Sequence, residues 1–273
     1  MKAISQALPK SIEMALTSNI CSNHAKPVGM MIIEGVEICP ACELAKENAA
    51  FAKSMSDQIL AQESKKKKNT LYYKSIFADE TLRNASFGKF FAESEEEVKN
   101  KDLAIQAFKH YKGAKVFTTL LQGDTGVGKS HLAMSILRNL NEKMDVECVF
   151  ISVREMMTKI RDSFDNKESK YTQLYFVDML SRVDFLCLDD LGAETGAIDT
   201  RKTATNFTLE VLTAIFEARQ NKSTIITSNL SRKQMEDMYD KKLISRSFKN
   251  IAVIKFDNIR DKRIVAFDLT QEV

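Results

Sequence analysis

Gly123-Asp124-Thr125-Gly126-Val127-Gly128-Lys129-Ser130 fits the pattern G-x-x-x-x-G-K-[ST], and no other stretch restricts the fold as tightly. The glycines let the backbone turn so that its N–H groups face phosphate oxygens. A helix starting there adds the positive end of its dipole. In such a loop Lys129 reaches the outer phosphates and the Ser130 hydroxyl ligates Mg²⁺. The loop must join a strand to a helix, and both flanks comply. Val116–Leu121 reads as the strand. His131 to Leu140 reads as the helix, with Leu132, Ile136, Leu137 and Leu140 on one face.

Four more apolar runs share the character of the first. They are 148–153, Asp184–Leu188, Thr224–Thr227 and Ile251–Phe256. Separated by helical patterns, the five predict an α/β fold with a five-stranded parallel sheet covered on both faces. Ligand chemistry belongs at the carboxyl ends of such strands. Asp189-Asp190 ends the third strand and Ser228-Asn229 the fourth. We read Asp189 as the metal carboxylate and Asp190 as the group that activates water. An aspartate is short for that second task, which predicts slow hydrolysis or help from Glu194. Cys148 and Cys187 lie in strand patterns and read as small core residues.

The chain's other three cysteines cluster near the N-terminus. Cys21-x₂-His24 and Cys39-x₂-Cys42 give two pairs at knuckle spacing, with residues 25–38 between them. Such a set builds a tetrahedral Cys₃His site for Zn²⁺; the competing reading is scattered reduced thiols. Gly29 and Gly35 mark turns, and Met30–Ile33 reads as a strand, so a small zinc-ribbon-like domain is expected. Ahead of it Ile4, Leu8, Ile12 and Leu16 recur at helical spacing, broken by Pro9. After it Glu43–Gln62 reads as a polar helix, and the Lys65–Lys68 run as a solvated linker or, alternatively, a nucleic-acid contact. The expected division is 1–64 for the zinc module, 65–75 for the linker and 76–273 for the nucleotide domain.

At 273 residues, 44% hydrophobic and 28% charged, the composition is that of an ordinary soluble protein. A net charge of +3 permits a nucleic-acid partner without requiring one. No run is long and apolar enough for a membrane span, and Pro9, Lys10 and Glu13 interrupt any leader-peptide core. A cytoplasmic location without membrane attachment is expected.

Three stretches together resemble a family. Gly123–Ala133, Leu188–Glu194 and Ile226-Thr227-Ser228-Asn229-Leu230 are similar to the AAA+ helicase loaders of the DnaC/DnaI type. The likeness is greatest to loader-like proteins of bacteriophages with a comparable N-terminal C-x₂-H…C-x₂-C segment. The resemblance implies an AAA+ P-loop ATPase fold that binds ATP with Mg²⁺, self-associates through AAA+ interfaces, and loads a hexameric replicative helicase onto single-stranded DNA in replication initiation. By the same resemblance His131 extends the nucleotide-binding loop, Asn229 is the sensor-1 residue, and Arg246 is an arginine finger serving the neighbouring subunit. Arg263, or else Arg260, is the sensor-2 arginine, and any lid is minimal or absent. Phe77–Phe91 is the lead-in that packs near adenine, followed by a helix over Asp102–Tyr111, with Glu95–Glu97 as a solvated face. The stretch Arg154–Arg182 corresponds to extra helical structure along a single-stranded DNA path; it interleaves Lys159, Arg161, Lys167 and Lys170 with Phe164, Tyr171, Tyr175 and Phe176. Arg201 and Lys202 are a weaker candidate for the same contact. Two alternatives stand beside the loader: a transposition helper that binds DNA and a transposase, and a nucleotide-switched protein that sequesters a replication factor.

Overall fold

The structure is a computed structural model that describes residues 14–195, 204–239, 241–248 and 250–263. The periodic run through Ile4, Leu8 and Ile12, and the pair Arg201 and Lys202, lie outside the described residues. The chain divides into two compact units, Met1–Glu63 and Ser64–Val273.

The first unit is a three-stranded antiparallel sheet followed by a helix. β1 (Met14–Cys21) pairs with β2 (Val28–Ile33), which pairs with β3 (Val36–Ile38). Leu16 therefore sits in a strand and not in the amphipathic helix its spacing suggested; pairing with Met31 decides its conformation. The β2–β3 turn uses Glu34 and Gly35, both at positive φ. α1 (Pro40–Tyr73) starts directly after the sheet, and Pro40 suits a first helical position because it has no N–H to satisfy. The helix continues well beyond Gln62. Lys65–Lys68, read as a solvated linker, continue the helix, since the run contains good helix formers and no breaker. Lys67 pairs with Asp145 at 2.7 Å, and Leu71 is fully buried in the second unit.

The second unit is a parallel sheet with helices on both faces. Ser75–Phe77 leads in along the sheet edge, where Ile76 bridges to Ile151 and Phe77 stacks on Phe150. Then come α2 (Glu95–Lys112), β4 (Thr118–Gly123), α3 (Lys129–Lys143), β5 (Cys148–Ser152), α4 (Val153–Asp165), α5 (Gln173–Arg182) and β6 (Phe185–Asp189). α6 (Asn206–Ala218), β7 (Thr224–Ser228), α7 (Arg232–Met238), α8 (Lys241–Ser247) and β8 (Ile251–Phe256) complete it. The strand order is β5-β6-β7-β4-β8, all parallel.

Side-chain alternation sorts the core onto the two faces. Leu120, Val149, Ile151, Leu186, Leu188 and Ile226 point to one cluster, built with α4 to α8. Leu121, Cys148, Phe150, Cys187 and Ile225 point to the other, built with α2, α3 and the end of α1. Leu132, Ile136, Leu137 and Leu140 of α3 are fully buried there.

One expectation on α2 fails. Glu97 is not part of a solvated face: it is buried, closes a capping box with Ser94 and pairs with Lys262 at 2.8 Å. Among the described residues no helix is long and apolar enough to cross a membrane.

Candidate functional site

The carboxyl ends of β4, β6 and β7 open onto a cleft of about 1040 Å³, room enough for a nucleoside triphosphate. The loop between β4 and α3 forms its floor. Gly126 and Gly128 have φ of 81° and 94°. A Cβ on Gly128 would lie 2.6 Å from the Phe90 ring, and one on Gly126 would collide with the Asp261 carboxylate. Only glycine meets both the backbone and the space requirement.

Lys129 is the first residue of α3 and is buried. Its ammonium donates to the Gly123 carbonyl at 2.8 Å, to the Asp124 carbonyl and to Asn229 Oδ1 at 2.7 Å. Burial pulls its pKa down to about 8, partly offset by the charges of Asp190, Asp189 and Asp124. Asn229 also donates to Thr125 Oγ1 at 3.0 Å, so the end of β7 is tied across to the loop. Val127 is buried beneath the loop. His131 meets the Ser86 carbonyl through Nε2 at 2.9 Å and stands edge-on to Phe90. Burial lowers its pKa, against the hydrogen bond with the Ser86 carbonyl.

Asp189 ends β6 and is buried. Thr227 Oγ1 donates to it at 2.7 Å. Burial lifts its carboxyl above the ordinary range, against hydrogen bonds from the Ser130 and Thr227 hydroxyls. Ser130 and Asp189 thus face one another at the cleft, a hard oxygen pair suited to a hydrated Mg²⁺. Asp190 follows in the left-handed region, φ 58°, with its N–H on Thr227 Oγ1. Both carboxylates line the cleft.

Glu194, expected to assist, points elsewhere. Its carboxylate accepts the Gly192 N–H at 2.9 Å and the Tyr239 hydroxyl, and it does not line the cleft. Burial raises its pKa against those same hydrogen bonds.

The segment after β8 closes one side of the cleft. The Lys262 N–H donates to the Gly126 carbonyl, and its ammonium reaches Glu97 and the Phe91 carbonyl. Arg260 is paired with Glu93, while Arg263 lies close enough to Lys129 to oppose its protonation. Both arginines line the cleft. The lead-in supplies Asp79, Leu82, Phe90 and Phe91 to the same wall.

Arg246 is not part of its own chain's cleft. It sits in α8, paired with Glu217 at 2.7 Å. The next residue, Ser247, accepts the Thr118 hydroxyl through its carbonyl, which puts Arg246 at the amino end of β4, opposite the cleft.

In the α4–α5 stretch most of the aromatic side chains pack inward. Phe176 is fully buried, Tyr171 and Tyr175 pack against the core, and the Lys159 and Lys170 ammoniums lie over the Tyr171 ring at 4.9 and 5.2 Å. Phe164 remains exposed, edge-on to Phe207. Arg161 and Lys167 are exposed as well.

In the first unit Cys21 ends β1, His24 is in the following turn, Cys39 precedes α1 and Cys42 is in its first turn. All four ligand atoms lie within 4.8 Å of one another. Cys21 Sγ and Cys42 Sγ are 3.7 Å apart, while His24 Nε2 is 3.2 Å from Cys42 Sγ and 3.3 Å from Cys39 Sγ. Tetrahedral zinc with Zn–S near 2.3 Å separates two sulfurs by about 3.8 Å, so the donor set and its spacing fit. Cys148 and Cys187 are buried in the core, where burial raises both thiols well above their ordinary value.

Phe90 lies in the Phe77–Phe91 lead-in expected beside the nucleotide. Sequence reasoning missed Thr227, Asp261, Lys262 and Tyr239 as parts of this architecture. Thr227 lies inside the Ile226–Leu230 motif, and its neighbours gave a signal; the others carry none.

A parallel sheet in this order, with a phosphate loop after β4 and carboxylates at the end of β6, defines an AAA+ P-loop ATPase fold. Residues 41–249 match the family of IstB-like ATP binding proteins, and the chain belongs to that family. It is 28% identical over 174 residues to the uncharacterized protein YqaM of Bacillus subtilis (strain 168), a match over 61% of this chain. The match spans about half (52%) of the length of that relative. The fold is similar to that of DnaI, with a TM-score of 0.53 and 23% identity over 66% of this chain and 95% of that one. It is equally similar to the DnaC helicase loader, at 0.53 and 19% identity over 67% and 100%.

Proposed function

We propose that the protein is an ATP-hydrolysing loader that places a hexameric replicative helicase on single-stranded DNA. The observation that carries the reading is the convergence of Lys129, Ser130, Asp189, Asp190, Asn229 and Arg263 on one cleft, in a fold shared with DnaI and the DnaC helicase loader. ATP supplies the phosphoanhydride, and Mg²⁺ neutralises charge on its outer phosphates. Residues 123–131 hold the phosphates, with Lys129 exchanging its backbone partners for them. Ser130 and Asp189 hold the metal. Asp190 accepts a proton from the attacking water, Asn229 orients it, and Arg263 serves as sensor 2 because Arg260 is engaged by Glu93. Arg246 completes the site of the next subunit.

The first unit is read as the helicase-docking module, with Zn²⁺ held by Cys21, His24, Cys39 and Cys42. The metal supplies folding energy that so small a sheet lacks, on the order of 10 kcal/mol. The exposed cations of the α4–α5 stretch, Arg161 and Lys167, support single-stranded DNA contact.

Two measurements test this reading. Asp190→Asn keeps ATP affinity and loses at least about 100-fold in turnover; normal turnover removes Asp190 from its role. In mass measurements with a hexameric replicative helicase, the full chain forms a complex, whereas Cys39→Ser binds ATP but captures no helicase. Equal capture by the Cys39 variant overturns the division of labour.

A further inference from the structure

The turn after β6 is held at every backbone amide from 190 to 193. The Asp190 N–H goes to Thr227 Oγ1 at 2.8 Å and the Leu191 N–H to the Thr227 carbonyl at 2.9 Å. The Gly192 N–H goes to Glu194 Oε2 at 2.9 Å and the Ala193 N–H to the Asp190 carbonyl at 3.1 Å. Two of these anchors come from β7, which the sheet fixes. The third is the Glu194 carboxylate, and its other oxygen accepts the hydroxyl of Tyr239.

Tyr239 is 3% exposed and caps the C-terminus of α7, with its own N–H on the Met235 carbonyl. It is a rigid, buried donor brought in from 45 residues further along the chain. Without it Glu194 has one fewer reason to fold back over the turn, and a partly buried carboxylate left short of a partner would turn to water. The Gly192 N–H would then lose its contact with Glu194 Oε2. Asp190, held at φ 58° by this turn, would lose one side of its support. Neither Glu194 nor Tyr239 lines the cleft.

We propose that Tyr239 is a positioning residue for hydrolysis: through Glu194 it clamps the 190–194 turn and so keeps Asp190 aimed into the cleft. This rests on the reading of the cleft as a hydrolytic ATP site. The pair sets the aim of the general base Asp190 and contributes nothing to nucleotide affinity, so its loss falls on kcat alone. Small displacements of a reacting group cost large factors in rate, and the expected loss is about tenfold.

The test uses the full-length protein, with turnover measured under helicase and single-stranded DNA and affinity by a fluorescent ATP analogue. Tyr239→Phe lowers kcat about tenfold while the analogue's Kd stays within twofold and the melting temperature falls by only a few degrees. Glu194→Ala gives the same loss, and the double variant is no slower than either single one, because both act through one contact. Wild-type kcat in Tyr239→Phe overturns the proposal, as does a loss of affinity and melting temperature in step with kcat, or losses that multiply in the double variant. Absence of turnover in the wild type overturns the hydrolytic reading together with this one, whereas wild-type turnover unaffected by Tyr239→Phe overturns the clamp alone.

Discussion

Glu97 carries more than its place in an acidic run would suggest. Burial acts to raise its carboxyl, yet the Lys262 ammonium and the Glu93 and Ser94 N–H groups together hold it below the ordinary glutamate value. A carboxyl depressed by folding stabilises the protein above its unfolded pKa, and that contribution is lost as pH falls through the folded value. Glu97→Gln is therefore expected to cost about 1–2 kcal/mol near neutrality, since it breaks a buried pair but keeps the cap. The deficit relative to wild type shrinks toward zero below the ordinary carboxylate range. Urea melts of both proteins from pH 7 down to pH 3 check this; a constant gap would mean that the ion pair is not its origin. At this scale the sequence showed what a local motif contains. The placing of Gly123–Ser130 and Asp189-Asp190 at the carboxyl ends of strands was readable from their immediate neighbours. Glu97 was not, because its partner Lys262 is brought to it only by the completed sheet. The contact between Tyr239 and Glu194 was hidden for the same reason.

Among the elements, the parallel strands were legible within two residues, since a short, continuously apolar run between helices is what a strand covered on both faces requires. β1 was not, because Leu16 and Ile20 are exposed and its hydrogen bonds to β2, not burial, define it. The Lys65–Lys68 run is helical despite its charge, because lysine is a good helix former and nothing in the run breaks the helix. One feature between elements left no sequence signature. Arg219, just after α6, is buried and donates to the carbonyls of Leu180, Val183, Asp184 and Ser223 and to Thr224 Oγ1. Burial lowers its pKa to about 10, so it stays charged near neutrality. A planar fork joins the end of α5 to the starts of β6 and β7, which an ammonium cannot match. Arg219→Lys is expected to destabilise the ATPase unit by about 3 kcal/mol, with stranded carbonyls the main cost. Chemical denaturation followed by far-ultraviolet circular dichroism measures it; a change under about 0.5 kcal/mol would show that water replaces the fork.

For the whole molecule, the proposed role of Arg246 makes hydrolysis a property of the assembly. Arg246→Ala is expected to keep ATP affinity and to lose about 1,000-fold in turnover. Wild-type turnover per chain should rise with protein concentration, and that rise should vanish in the variant. Turnover in Arg246→Ala that matches wild type at every concentration would remove the finger. The present pairing with Glu217 is half-exposed and gives little resistance to exchange for a phosphate.

Within each chain the cleft lies at the carboxyl ends of the strands and Arg246 at the amino end of β4. If Arg246 completes the pocket of the next subunit as proposed, a heterologous interface would let copies add head to tail, as a spiral or ring. In an open row, the receiver at one extremity always waits for a donor, and that unfinished pocket marks where the next copy, or a different protein with a suitable arginine, would arrive.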